Sequence, residues 1–115
     1  MRVYSPITSE IKSYVSENFA SKISAVELSR RMNISYSYLA KLMIREFGMS
    51  LCDYVISKRV ENAKKLLLST KSSVAEIGYE CGFASSSAFI YHFGKLTGKT
   101  PLTYRNEAFE NFAKK

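Results

Sequence analysis

The sequence has no tryptophan, one histidine, two cysteines, two prolines and five glycines in 115 residues. Each shortage removes a class of protein. Cys52 and Cys81 are too few for a disulfide scaffold, and with His92 as the lone imidazole they match no zinc-ligand spacing, so no metal or cofactor is expected. The scarcity of glycine and proline beside a hydrophobic fraction of 46% argues against disorder and low-complexity sequence. No apolar run approaches the ~18–20 residues that cross a bilayer, and residues 1–20 lack the basic start and apolar core of a signal peptide. These absences predict a cytoplasmic chain without a membrane partner. Catalytic constellations are missing too. No motif sets a nucleophile or carboxylate beside His92, Ser85-Ser86-Ser87 has no Gly-x-Ser-x-Gly context, and no glycine loop can cradle a phosphate. The chain reads as a non-enzyme.

Charge is what the sequence has in excess: 17 Lys+Arg stand against 10 Asp+Glu, a net +7 that favours a polyanionic partner. The middle of the chain carries most of it, with nine basic and four acidic residues between positions 24 and 71. Fifteen aromatics, eight Tyr and seven Phe, raise stacking on single strands as an alternative, but many fall on inward helical positions and read as core.

The segment Ser24-Ala25-Val26-Glu27 returns 49 residues later as Ser73-Val74-Ala75-Glu76. Each has the form of a capping box, in which the serine accepts from the N–H three residues on and the glutamate reaches back to the serine N–H. At the same offset Leu28/Ile77, Ser29/Gly78, Met32/Cys81, Asn33/Gly82 and Ile34/Phe83 continue the match. Asn33 and Gly82 tolerate the left-handed conformation best, so each short helix is expected to end there in a tight turn. A second helix follows each turn, capped by Ser35 in one copy and by Ser85 or Ala84 in the other. One inserted residue makes the offset 50, aligning Leu39/Phe89, Met43/Phe93, Gly48/Gly98, Ser50/Thr100 and Tyr54/Tyr104.

Around the repeats, a leading helix is predicted from about Pro6 to Phe19 with Ser5 as its cap. A linker helix runs from Leu51 to Ser69 with the stripe Val55, Ile56, Val60, Ala63, Leu66 and Leu67, and a final helix follows Thr100-Pro101. The expected fold is all-α: seven helices, with helix-turn-helix subdomains at 1–50 and 71–115 joined by a linker helix at 51–70.

In a helix-turn-helix the second helix offers its N-terminal half to base edges in the major groove of double-stranded DNA. Helical spacing turns Leu39, Leu42, Met43 and Phe47 inward and leaves Tyr36, Ser37, Ala40, Lys41 and Ile44 or Arg45 outward. The second copy buries Phe89, Phe93 and Leu96 and exposes Ser86, Ser87, Ile90, Tyr91 and Gly94. Lys41 can donate to guanine O6 and N7 or to a phosphate, Ser37 can donate or accept, and Ala40 fits a thymine methyl. Arg30, Arg31, Arg45 and Lys95 are phosphate candidates, and half-buried His92 either packs or reaches a phosphate. A 19-residue linker helix would span about 28 Å at ~1.5 Å per residue, close to the ~34 Å between successive major grooves on one face. A monomer reading an asymmetric site of about two turns is therefore expected.

These residues resemble the AraC/XylS-type transcription regulators from about Ile11 to Arg105. The resemblance is most specific at Ala75-Glu76-Ile77-Gly78-Tyr79-Glu80-Cys81-Gly82-Phe83, at Phe89 and Phe93, and at Thr97-Gly98-Lys99-Thr100-Pro101 ending in Tyr104-Arg105. The linker Lys58-Arg59-Val60-Glu61-Asn62-Ala63-Lys64-Lys65-Leu66-Leu67 is similar as well. The resemblance implies base contacts at Ser37, Ala40, Lys41, Ser86, Ser87, Ile90 and Tyr91, and an activator that touches RNA polymerase. The family usually has Arg at the position of Tyr91 and Lys or Arg at Gly94. That departure implies a first motif that dominates affinity. The alternatives are a nonspecific basic interaction module and the excised reader of a larger ligand- or phosphorylation-controlled regulator.

Overall fold

The structure, a computed structural model, describes residues 6–113. Seven helices run along them: α1 Pro6–Asn18, α2 Ala25–Arg31, α3 Tyr36–Phe47, α4 Leu51–Ser69, α5 Val74–Glu80, α6 Ser86–Thr97 and α7 Pro101–Ala113. No strand occurs among the described residues. The expected cap Ser5 lies outside them.

The starts of α2 to α7 each have a side-chain acceptor for an otherwise orphaned N–H. Ser24 accepts from Glu27 N, Ser35 from Tyr38 N, Ser73 from Glu76 N and Ser85 from Ala88 N. The choice between Ser85 and Ala84 thus falls on Ser85. Ser50 and Thr100, aligned by the repeat, accept from Asp53 N and Thr103 N at the starts of α4 and α7. The reciprocal glutamate bond closes only in the second copy, where Ser73 N donates to Glu76 Oε1 at 3.4 Å.

Both turns have one geometry. Asn33 (φ 58°) and Gly82 (φ 99°) are left-handed. Asn33 N donates to Arg30 O and Ile34 N to Ser29 O; Gly82 N donates to Tyr79 O and Phe83 N to Gly78 O. This pair of bonds satisfies the last carbonyls of the short helix and reverses the chain onto the next one.

The chain divides into two compact units, one through Lys58 and one from Arg59 onward. In the first, Ile11 and Val15 of α1, Leu28 of α2, Leu39, Leu42 and Met43 of α3, and Leu51, Tyr54 and Val55 of α4 form one buried cluster. Phe47 tilts against Tyr54 with ring centroids 4.7 Å apart.

The second unit buries Val60, Ala63 and Leu67 of α4 with Ile77, Cys81, Phe83, Phe89, Phe93 and Pro101. Phe89 meets Phe83 at 5.1 Å and Phe93 edge-on at 5.7 Å, and Phe93 meets Tyr104 at 5.4 Å. Gly78 makes this packing possible, because a Cβ there would stand 2.6 Å from Phe89 Cδ2. The first copy has the smaller Leu39 where the second has Phe89, and correspondingly tolerates Ser29, whose hydroxyl donates to Val26 O.

Arg105 closes the second unit. Its Nε donates to Leu67 O at 2.8 Å and its Nη2 to Thr70 O at 3.1 Å, so a guanidinium from α7 satisfies carbonyls at the C-terminal end of α4.

One expectation for the core fails. Leu96 is 54% exposed. Its angular position points inward, but it lies in the last turn of α6, where no neighbouring helix covers it; periodicity gives direction and not the presence of a partner. Ile56 and Leu66 of the linker stripe are only half-buried.

Candidate nucleic-acid interface

The outward faces of α3 and α6 are built alike. Counting from Leu39 and Phe89, each directed at its unit's core, the opposite side of the helix holds Ser37, Lys41 and Ile44 in α3 and Ser87, Tyr91 and Gly94 in α6. Ala40 and Arg45 flank the first set, Ile90 and Lys95 the second. All the base-contact candidates, Tyr36, Ser37, Ala40, Lys41, Ser86, Ser87, Ile90 and Tyr91, are exposed.

Within α3, Tyr36 and Ala40 lie on the flank. With Ile44 they border an apolar cavity of about 310 Å³ closed by Ala25, Leu39, Met43 and the start of α4. The expectation left Ile44 or Arg45 outward; both are, Ile44 at 59% exposure. Ile44 belongs with the face, and its place one turn beyond Lys41 is the signal for it.

The cations are less uniform. Arg30 is exposed on the last turn of α2. The guanidinium of Arg31 lies over the Tyr14 ring of α1, 5.1 Å from its centroid, which draws it toward α1. Arg45 projects from the last turn of α3, with Nε 3.8 Å from Glu46 Oε1. In α6, Lys95 Nζ donates to Tyr91 Oη at 3.5 Å and sits 5.7 Å from that ring's centroid, so aromatic and cation form one group.

His92 is half-buried, its ring stacked on Phe83 at 6.1 Å and edge-on to Tyr91 at 5.1 Å. It packs beneath the face that Tyr91 presents. Tyr79, the counterpart of Arg30 at the 49-residue offset, is 84% exposed, and the 49-residue match is the signal that places it beside this face. Where the first motif has Arg30 and Arg31, the second has Tyr79 and Glu80, so the cation deficit of the second motif extends to its first helix.

Buried Cys81 belongs to the core. Burial pushes its thiol above the ordinary value of 9.0, and Glu80 adds to the rise, while a hydrogen bond from Asn62 and the charge of Arg59 oppose it. Cys52 is exposed at the start of α4. No group of three or more His, Cys, Asp or Glu able to hold a metal is found among the described residues, nor is any described helix long and apolar enough to cross a membrane.

Two capped helix-turn-helix units, each with an outward helix of small, hydroxylated and basic residues, define a DNA-binding type of protein. Comparison with known proteins gives the family. A model described as a helix-turn-helix domain matches residues 28–107, and the chain belongs to that family, in its AraC-type branch. The chain is 29% identical over 102 residues to the Msm operon regulatory protein of Streptococcus mutans, covering 89% of this chain and 37% of that protein. It is 33% identical over 104 residues to an uncharacterised helix-turn-helix transcriptional regulator of Bacillus subtilis, covering 90% of this chain and 14% of that one. The chain thus spans little more than a third of these relatives at most. Among solved structures, it is similar to the DNA-binding domain of the global transcriptional factor AdpA in complex with a target DNA. That match has a TM-score of 0.83 and 26% identity, over 90% of this chain and 93% of that one.

Proposed function

We propose that this chain is a sequence-specific reader of double-stranded DNA that regulates transcription, with α3 and α6 entering successive major grooves of an asymmetric site. The observation that carries this reading is the duplication itself: two motifs with the same caps and the same left-handed turn present equivalent outward positions on their second helices. The DNA complex of a similar domain supports it.

Base contacts are assigned to Tyr36, Ser37, Ala40 and Lys41 in α3 and to Ser86, Ser87, Ile90 and Tyr91 in α6. Phosphate contacts are assigned to Arg30, Arg45 and Lys95, with Arg31 and His92 held closer to their own units by aromatic packing. The cation-rich first motif supplies most of the affinity. We read the protein as a cytoplasmic, non-enzymatic activator that works as a monomer and touches RNA polymerase. The activator role and polymerase contact are supported by the family resemblance alone.

The test is selection of bound duplexes from a random library, followed by affinity for the winner and a scrambled duplex across a salt series. The reading expects a winner with two unlike halves, held at least ~10³-fold more tightly than the scramble at physiological salt. Equal, steeply salt-dependent binding to both duplexes would reduce the function to attraction between a basic surface and any polyanion.

A further inference from the structure

The two recognition faces differ in the bases they are able to distinguish. In α3 the central outward residue is Lys41, a donor suited to guanine O6 and N7. In α6, Ser87, Ile90, Tyr91 and Gly94 follow at i, i+3, i+4 and i+7, and these positions hold no cation, carboxylate or carboxamide. Neither the two-bond pairings with guanine and adenine nor the carboxylate pairing with the cytosine amino group can be made from them.

What this face does hold is apolar surface. Ile90 is 42% and Tyr91 59% exposed, although the inward side of α6 is already filled by Phe89 and Phe93. The only methyl group that the four bases display in the major groove is that of thymine, at C5. Lys95 is held at this surface and does not project from it, its ammonium drawn over the Tyr91 ring and donating to the phenol oxygen, and Ile90 and Tyr91 stay exposed beside it. Gly94 adds nothing to hold the helix off the groove. Packing does not require a glycine there, since a Cβ would meet only Lys99 O, at an ordinary 3.8 Å.

Building on the duplex-reading role, we propose that α6 selects its half-site through thymine 5-methyl groups packed against Ile90 and the Tyr91 ring, whereas α3 selects guanine through Lys41. The operator is then asymmetric in chemistry: a guanine-containing half under the first motif and a thymine-containing half under the second.

The experiment replaces each thymine of the selected duplex, one at a time, by deoxyuridine, which removes the methyl and leaves every hydrogen-bonding group in place. Burial of one methyl corresponds to about fourfold in affinity. The expected result is a loss of about that size at one or more thymines of the half-site under α6, apart from any thymine that Ala40 meets in the other half. That loss should disappear in Ile90→Ala or Tyr91→Ala, while Tyr91→Phe, which keeps the ring, retains it. The same sites should stay sensitive in Lys41→Ala, whose own signature is lost discrimination at a guanine in the other half. Circular dichroism of each variant confirms an intact helical fold. If the selected duplex is bound specifically but every thymine tolerates deoxyuridine, thymine-methyl reading is overturned and the duplex-reading role stands. If no duplex is preferred over its scramble, the duplex-reading role itself falls, and the thymine assignment with it.

Discussion

The Gly78–Phe89 pair gives the most exacting test of how the second unit is packed. A Cβ at position 78 would stand 2.6 Å from Phe89 Cδ2, 2.9 Å from Cγ and 3.0 Å from Cβ. These atoms are the root of the ring, which cannot swing aside without moving α6. Replacing Gly78 by Ser, the first copy's residue, gains roughly 0.5 kcal/mol of helix propensity. Overpacking costs about 1–3 kcal/mol, so Gly78→Ser should destabilise the unit by about 0.5–2.5 kcal/mol net. Phe89→Leu alone leaves a void and costs about 1–2 kcal/mol. Together they rebuild the buried Ser29 and Leu39 combination of the first copy. The double variant should therefore be at least about 1 kcal/mol more stable than the sum of the single effects predicts. Urea unfolding of the full chain, followed by far-UV circular dichroism, measures all four corners of the cycle. Additivity within about 0.5 kcal/mol would show that the two positions do not exclude each other and would refute the packing argument.

Further expectations concern the α4 cap, the buried thiol and the DNA face. Arg105→Ala strips two charge-assisted hydrogen bonds from carbonyls at the end of α4 and should cost about 1.5–3 kcal/mol in thermal or urea unfolding; an unchanged transition would remove that role from Arg105. Because the folded-state Cys81 thiol titrates above its ordinary value of 9.0, the unfolded chain releases that proton first. Its stabilising contribution is full below about pH 9 and fades as pH rises through the folded value, so Cys81→Ala should show a shallower alkaline loss of stability than the parent chain. A thiol reagent should modify exposed Cys52 at once and Cys81 only when the unit opens. Gly94→Lys fits the space at that position, and should raise affinity for any duplex and steepen the salt dependence by about one unit of slope, without improving the specificity ratio. Lys41→Ala should cost about 1–3 kcal/mol of binding and Lys95→Ala clearly less; equal losses would contradict the dominance of the first motif.

The local chemistry of the fold is legible in the sequence because it repeats. Ser24 and Ser73 announce helix starts, Asn33 and Gly82 announce left-handed turns, and the matched spacing shows that one device occurs twice. The linker helix Leu51–Ser69 follows from its apolar stripe and from the glycine that ends the helix before it. Features that depend on neighbours distant in sequence are harder to read. Leu96 has an inward angle and no covering partner. Nothing in the order of residues announces that Arg105 returns to cap α4, or that Gly78 yields its space to Phe89.

The interface divides along the same line. Which residues face outward on α3 and α6 follows from a 3.6-residue period, and their exposure agrees with it except at half-buried Gly94 and exposed Leu96. How the cations are held does not follow, since Arg31 rests on Tyr14 from another helix and Lys95 folds back on Tyr91. The weak cation content of the second motif becomes fully apparent only when Tyr79 and Glu80 are set against Arg30 and Arg31.

The central claim is that both motifs read one duplex, each at its own half-site. Hydroxyl-radical footprinting of the selected duplex tests it directly. The account predicts two protected segments of unlike sequence about one helical turn apart, with Lys41→Ala weakening one and Ile90→Ala the other. A single protected segment, or uniform protection along the duplex, would contradict it.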